Sequence, residues 1–449
     1  MKKAKTIYVC DACGGKSLRW AGQCPDCGAW NTLTETQSLG GGRAPEQGAG
    51  TATVMEGLGA AGERETPRFP TGLDELDRVL GGGLVPGSVT LLGGDPGIGK
   101  STLLLQAAAS LARCRPVLYV SGEESPSQVG LRARRLQVGD APVTLAAETC
   151  VERILEAAHQ ARPGVLVVDS IQTVFTTMLQ SAPGAVAQLR ESTALFTRYA
   201  KQSGTAVFLV GHVTKEGVIA GPRVLEHMVD TVLYFENDAG SRYRVIRAVK
   251  NRFGAANELG VFAMTESGLQ QIKNPSAIFL SRHAEPVSGS AVTVIREGTR
   301  PMLLEVQALV DESHLTNPRR VAVGMDTNRL SMLLAVLHRH GGVAMFGHDV
   351  FLNVVGGLRV NETAADLAVL LAALSSFRDR PLPQDLIVFG EVGLAGEIRP
   401  VYNGEERLRE AGKHGFRRAI VPRANVPRKH PDGLEVVGVQ RLAEAIASI

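Results

Sequence analysis

The stretch that most restricts what this chain can fold into runs VTLLGGDPGIGKSTLLLQ, residues 89–106. An apolar, β-branched run of strand length opens directly into G-x-x-x-x-G-K-S and then into a helical pattern. Gly94, Gly97 and Gly99 allow the backbone between them to wrap, so that successive N–H groups point inward at one spot. The start of a helix adds the positive end of its dipole at the same place. Together these groups form a cradle for phosphate, built from Gly94, Asp95, Pro96, Gly97, Ile98, Gly99, Lys100, Ser101 and Thr102. Lys100 is expected to reach the β- and γ-phosphates of ATP, and Ser101 to ligate Mg²⁺, with the Thr102 hydroxyl beside it.

A strand–loop–helix of this kind needs a parallel sheet around it, and the chain supplies more such strands. VLYVS (117–121), VLVVD (165–169), AVFLV (206–210) and TVLYF (231–235) are continuous apolar runs separated by helical stretches. Runs of this kind suit a parallel sheet buried on both faces and wound with right-handed crossovers. At 449 residues the chain is too long for one ordinary core. Its organisation reads as a cysteine-rich unit at 1–35, a flexible linker at 36–66, an α/β core at 67–272, and a second α/β domain of mixed strand order at 273–449. The linker rests on eight glycines and no aromatic residue between 36 and 66. In the last domain AVTVIREGTRPMLLEVQALV has the pattern of a β-hairpin turning at EGTR.

Ligands in parallel sheets lie at the C-terminal ends of the strands, so the residues ending these runs are the first candidates for chemistry. Asp169 ends VLVVD and is the expected holder of the Mg²⁺ water shell. SGEES follows VLYVS, and Glu123 or Glu124 can orient and deprotonate an attacking water, with Glu123 favoured; the plain alternative is a solvated loop acid. His212 follows VFLVG and is either a sensor of the γ-phosphate or a polar histidine of the core.

Cys10, Cys13, Cys24 and Cys27 form two C-x2-C pairs, each in a glycine-bearing turn. Four thiolates at this spacing make a closed tetrahedral Zn²⁺ site, and a unit this small needs the metal to fold. Trp20 and Trp30 either pack around that site or face a partner. Cys114 and Cys150 stand alone and read as small core residues. No apolar run approaches the roughly 20 residues needed to cross a bilayer, and the beginning MKKAKTIYVCDAC has no apolar stretch of the secretory kind. A cytoplasmic, reducing location follows, in which paired cysteines bind metal. The net charge of +3 gives no global field for nucleic acid, so such a surface must be local or repeated around an assembly.

TGLDELDRVLGGGLVPGSVTLLGGDPGIGKSTLLLQ resembles the core of RecA-like P-loop ATPases. With the four-cysteine unit, the VKNRFG phrase at 249–254 and the last domain, nearly the whole chain resembles the RadA (Sms) family of bacterial DNA-repair proteins. That resemblance implies an ATP-driven ring, hexameric, that binds single-stranded and branched DNA and promotes branch migration beside the RecA recombinase. VKNRFG alone reads as a charged strand-end turn. In the light of the resemblance, Lys250 and Arg252 complete the ATP site of a neighbouring subunit from a sheet edge, Phe253 anchors the turn, and Gly254 permits its exit. DNA contact is then expected from loops after VLVVD (172–190, with Arg190) and after AVFLV (214–227, with Lys215 and Arg223). Ordinary surface loops are the alternative for each.

GGLRVNETAADLAVLLAALSS and the stretch beginning GEVGLAGEIRPV resemble the proteolytic domain of Lon-type proteases. Matching those motifs puts Ala365 where that family has its serine and Glu405 where it has its lysine. Alanine offers no nucleophile and glutamate reverses the charge, so peptidase activity is not expected. Ser375 and Ser376 read as ordinary helix residues. A role in holding subunits together is implied, and Arg417, Arg418, Arg423, Arg428 and Lys429 form either a DNA contact or a solvated basic face. An ATP-dependent protease and a nucleotide-switched signalling ring are the competing readings of the whole chain.

Overall fold

The computed structural model describes residues 67–212, 224–236, 243–280, 285–429 and 431–449, together with 5–10, 16–17, 20–23, 30 and 33–38. The chain divides into two compact units, Met1–Glu65 and Thr66–Ile449. In the first, β1 (Lys5–Cys10), β2 (Lys16–Ser17) and β3 (Leu33–Ser38) form an antiparallel sheet in the order β2-β1-β3. Cys10 ends β1, while Cys13, Cys24 and Cys27 lie outside the described residues. Trp20 and Trp30 are 60% and 70% exposed. The strand β3 takes up the first residues of the stretch expected to be linker, and the remainder of that stretch lies outside the described residues.

In the second unit, among the described residues, nine strands form one sheet: β4 (Val89–Gly93), β5 (Val117–Ser121), β6 (Val143–Ala147), β7 (Val165–Asp169), β8 (Ala206–Val210), β9 (Thr231–Glu236), β10 (Tyr243–Asn251), β11 (Leu259–Thr265) and β12 (Gly268–Gln271). Their order is β12-β11-β10-β9-β4-β8-β7-β5-β6. From β9 through β6 every pairing is parallel, while β10, β11 and β12 add an antiparallel flank. The buried runs alternate between the two faces with the period of 2 that a strand imposes. In β8, Ala206, Phe208 and Val210 pack with helix Lys100–Leu111, and Val207 and Leu209 with helices Val151–Ala161 and Val186–Ser203. The sheet is therefore sandwiched between helices, and its strand ends are left free for chemistry. The strand β6 escapes an apolar-run criterion because VTLAA is half-exposed at the sheet's edge.

A second sheet holds β13 (Ser290–Glu297), β14 (Arg300–Glu312), β15 (Arg320–Val323), β16 (His348–Val354), β17 (Leu386–Val388), β20 (Arg418–Pro422) and β21 (Glu435–Val439), in the order β15-β16-β14-β13-β17-β20-β21; β18 (Glu391–Val392) and β19 (Ile398–Arg399) pair separately. The strands β13 and β14 form the expected hairpin, with Glu297 opposite Arg300 and Gly298 at φ 59 in its two-residue turn. Helices Thr327–Gly341 and Asp366–Arg378 cover one face of this sheet. The hairpin tip is keyed to the first sheet. Arg300 donates to both oxygens of the buried Glu75 at 2.9–3.0 Å, Arg247 donates to Glu297 at 2.6 Å, and the Thr299 N–H donates to Glu258 at 2.7 Å.

Candidate nucleotide site

The first sheet delivers its side chains to one place because β4, β5, β7 and β8 run in the same direction. Gly93 ends β4, and the following loop carries φ values of +149° at Gly94 and +119° at Gly99, a region that an L side chain rarely adopts. A Cβ on Gly94 would also stand 2.9 Å from Phe235 Cβ. Ile98 is buried and anchors the loop, while Asp95, Pro96 and Gly97 are exposed at its rim. Lys100 begins the helix Lys100–Leu111, followed by half-buried Ser101 and Thr102.

Lys100 is 3% exposed, and its ammonium donates to the carbonyls of Gly94 and Asp95, both at 2.8 Å. Burial pulls its pKa down to about 8, against the opposing attraction of Asp169, Glu123 and Asp95. A buried cation whose hydrogen-bond partners are neutral carbonyls is short of negative charge, and phosphate supplies it. Asp169 ends β7 beside Ser121 of β5. One of its oxygens, Oδ2, accepts from the Tyr119 hydroxyl at 2.6 Å. Burial first, and the Asp169 charge second, hold the Tyr119 hydroxyl pKa far above its usual value, so it remains a donor. The other oxygen of Asp169 and the Ser101 hydroxyl offer the hard oxygen chemistry that Mg²⁺ takes.

The adjacent glutamates after β5 part company. Glu124 is turned to Arg132 on helix Pro126–Arg135, and its N–H donates to Ser121 Oγ at 2.9 Å. Glu123 instead receives the Ser170 hydroxyl at 2.5 Å and His212 Nε2 at 3.2 Å. The His212 bond leads in lowering the Glu123 pKa to about 2, with Ser170 and the charges of His212 and Lys100 adding to it against the penalty of burial. His212 thus points at the glutamate. Ser170 and Tyr119 escaped the sequence reading: neither stands in a recognisable spacing, and their roles arise only when β5, β7 and β8 are laid side by side.

Lys250 and Arg252 lie elsewhere. Thr90 of β4 pairs with Thr231 of β9 and Gly93 with Tyr234, so the phosphate loop is at the Tyr234 end. The antiparallel β10 brings Lys250 opposite Val232 and Asn251 opposite Thr231, at the other end of the sheet. Two more strands lie outside β10, so these cations sit at a strand end and not at the sheet edge expected from the sequence. Lys250 donates to the carbonyls of Glu226 and Val229, both at 2.8 Å, and its pKa is lowered by burial and then by Arg252. Arg252 is 59% exposed and reaches Asp230 at 3.3 Å. Gly254 serves close packing: its Cβ would stand 2.8 Å from Gly81 Cα.

Of the expected DNA-facing residues, Arg190 is exposed on helix Val186–Ser203, and Lys215 and Arg223 lie outside the described residues. The loop before Arg190 is pinned. Glu152 accepts from the Thr176 hydroxyl and the Thr177 N–H, and Gln188 donates to the carbonyls of Thr176, Leu179 and Ser181. In the last domain Ala365 is 1% exposed in an apolar cluster, and Glu405 pairs with Arg409 on the surface. Ser375 and Ser376 accept the N–H groups of Gly289 and Val310, an internal structural use. Arg417, Arg423, Arg428 and Lys429 are exposed. No helix among the described residues is long and apolar enough to cross a membrane.

Residues 65–218 match the family model described as an AAA domain, residues 8–35 one described as a rubredoxin metal binding domain, and residues 326–425 one described as subunit ChlI of Mg-chelatase. The chain is similar along its length to proteins named DNA repair protein RadA. Identity is 62% to that of Pseudomonas aeruginosa, covering 100% of both chains. It is 56% to that of Escherichia coli, covering 99% of this chain and 98% of the relative, and 48% to that of Bacillus subtilis, covering 99% of each. With a P-loop ATPase core, a zinc ribbon and a ChlI/Lon-like domain in one polypeptide, the chain belongs to the RadA family of DNA repair proteins.

Proposed function

We propose that this protein is a DNA-dependent ATPase motor whose subunits close into a hexameric ring. It binds single-stranded and branched DNA and drives branch migration of recombination intermediates beside the RecA recombinase, in the cytoplasm. The observation that carries this reading is the separation of Lys250 and Arg252 from their own phosphate loop by the length of β9. Cations at that end of the sheet can meet a nucleotide only on another subunit, which supports an ATP site shared across a ring interface.

In this mechanism the backbone of Gly94–Ser101 cradles the phosphates, and the Lys100 ammonium leaves its loop carbonyls for the β- and γ-phosphate oxygens. Ser101 and Asp169 would hold Mg²⁺, which would supply positive charge against the phosphates. Glu123 orients the attacking water, and Lys250 and Arg252 of the neighbour stabilise charge developing on the γ-phosphate. Lys215, Arg223 and Arg190 supply the ring centre with cations that track a phosphate backbone. Ala365 and Glu405 support a scaffold role for the last domain and leave the protease reading without a nucleophile. The four cysteines hold Zn²⁺ in the N-terminal ribbon.

The test measures ATP turnover with and without single-stranded DNA, and ring closure by electron microscopy. Wild type is expected to form rings and to hydrolyse faster with DNA. Lys250→Ala is expected to bind ATP but not turn it over. Mixing it with Lys100→Ala subunits should recover part of the activity, because each supplies the half-site the other lacks. No stimulation by DNA, or no gain on mixing, would sink the reading.

A further inference from the structure

We propose that Ser170 and His212 are positioning residues that together fix one oxygen of Glu123 and so reserve its other oxygen for the attacking water. The inference rests on Glu123 acting on that water. Both donors converge on Oε1, the Ser170 hydroxyl at 2.5 Å and His212 Nε2 at 3.2 Å, and among the described residues no hydrogen-bond donor reaches Oε2. The three residues come from the ends of three parallel strands, Glu123 after β5, Ser170 after β7 and His212 after β8.

Each donor is itself held. Ser170 is fully buried, its carbonyl accepts from the Thr173 hydroxyl at 2.9 Å, and the next N–H, of Ile171, donates to Val210 of β8 at 2.8 Å. His212 follows Gly211, whose N–H donates to Leu92 of β4 at 2.9 Å, and its own carbonyl accepts from Gln172 at 3.0 Å. A glutamate has three rotatable bonds, and one on an exposed loop samples many rotamers. Two charge-assisted bonds to a single oxygen remove that freedom and direct the remaining lone pairs one way. The same bonds keep Glu123 ionised, with a pKa near 2. A carboxylate fixed in this way holds a water in one direction, which is the alignment an in-line attack needs. Ser170 is thereby assigned a part in the reaction that no spacing in the sequence reveals.

The experiment is a double-mutant cycle in the full-length protein. Ser170→Ala, Ser170→Thr, His212→Phe and His212→Gln are each made alone and together with Glu123→Gln. ATP affinity is read with a fluorescent nucleotide, and turnover from steady-state and single-turnover hydrolysis. Ser170→Ala and His212→Phe are expected to lower kcat roughly 10- to 100-fold with ATP affinity unchanged. Ser170→Thr and His212→Gln keep a donor and should recover much of that loss. None of the four should slow the residual hydrolysis of Glu123→Gln further, since the group they position is gone. Wild-type kcat in Ser170→Ala and His212→Phe, or equal losses in both backgrounds, overturns the proposal. Weakened binding of ATP relative to ADP in His212→Phe would make His212 a phosphate sensor and overturn its half of the proposal. Normal turnover in Glu123→Gln itself would instead refute the role given to Glu123.

Discussion

Asp230 is a buried carboxylate, 4% exposed, that no motif announces, and its removal has a magnitude that follows from its partners. Its Oδ2 accepts the Val89 N–H at 3.0 Å and Lys201 Nζ at 2.8 Å, and its Oδ1 accepts Arg252 at 3.3 Å. The two cations are 50% and 59% exposed and regain water when Asp230 is truncated, so each is worth about 1 kcal/mol or less. The Val89 N–H belongs to a fully buried strand residue, and leaving it unpaired costs about 1–3 kcal/mol. Asp230→Ala should therefore cost about 2–4 kcal/mol locally, and Asp230→Asn, which keeps an acceptor for Val89 but loses the charge, about half as much. Native-state hydrogen exchange at the Val89 amide reads this directly: protection should fall roughly 30- to 1000-fold in Asp230→Ala, at about tenfold per 1.4 kcal/mol. Both variants should bind ATP normally, because Asp230 lies at the sheet end away from the phosphate loop. Arg252, freed from its guide, should leave turnover in the assembled protein reduced. An Asp230→Ala protein whose Val89 amide exchanges within about twofold of wild type would refute the assignment of Asp230 as the tie between β4 and the Arg252 turn.

Other outcomes follow from single residues. The depressed pKa of Lys100, about 8, means that the empty site releases its proton as pH rises past that value, while bound phosphates draw a proton back. ATP affinity should weaken above pH 8, and calorimetry in buffers of different ionisation enthalpy should show proton uptake on binding near pH 8.5 that is absent near pH 6.5 and absent in Lys100→Met. Arg407 is 1% exposed and donates to Glu362 and to the carbonyls of Tyr402 and Val294. Arg407→Ala should destabilise the last domain by about 3–5 kcal/mol, and a thermal transition unchanged from wild type would contradict that. Restoring a serine–lysine pair with Ala365→Ser and Glu405→Lys should yield no cleavage of unfolded casein, because position 365 is sealed in an apolar cluster while position 405 is on the surface.

The phosphate loop was legible from the sequence because its chemistry is local. Glycine φ values, the strand before it and the helix after it are contained in about ten consecutive residues, and hydrophobic period alone separates strand from helix around it. Asp169 and Glu123 could be singled out for the same reason, since Asp169 ends a recognisable strand and Glu123 stands two residues beyond another. The hairpin at Gly298 is likewise a matter of neighbouring residues. The antiparallel flank was less visible: YRVIRAVKN mixes charge into a strand whose polar positions are matched by neighbouring elements, as Arg247 is by Glu236 of β9 and by Glu297 of the second sheet's hairpin.

Sequence alone thus determined the phosphate cradle, the parallel core and the paired cysteines, because each depends on residue types at short fixed spacings. Only the tertiary structure decided that Glu123 is held by Ser170 and His212 while Glu124 turns to Arg132, that Tyr119 serves Asp169, and that Lys250 and Arg252 stand at the far end of the sheet from their own loop. The physical reason is separation along the chain. Ser170 and Glu123 are 47 positions apart, and His212 and Glu123 are 89 apart. Strand order and direction, which no local pattern encodes, bring them within the 2.5–3.2 Å at which a proton is shared.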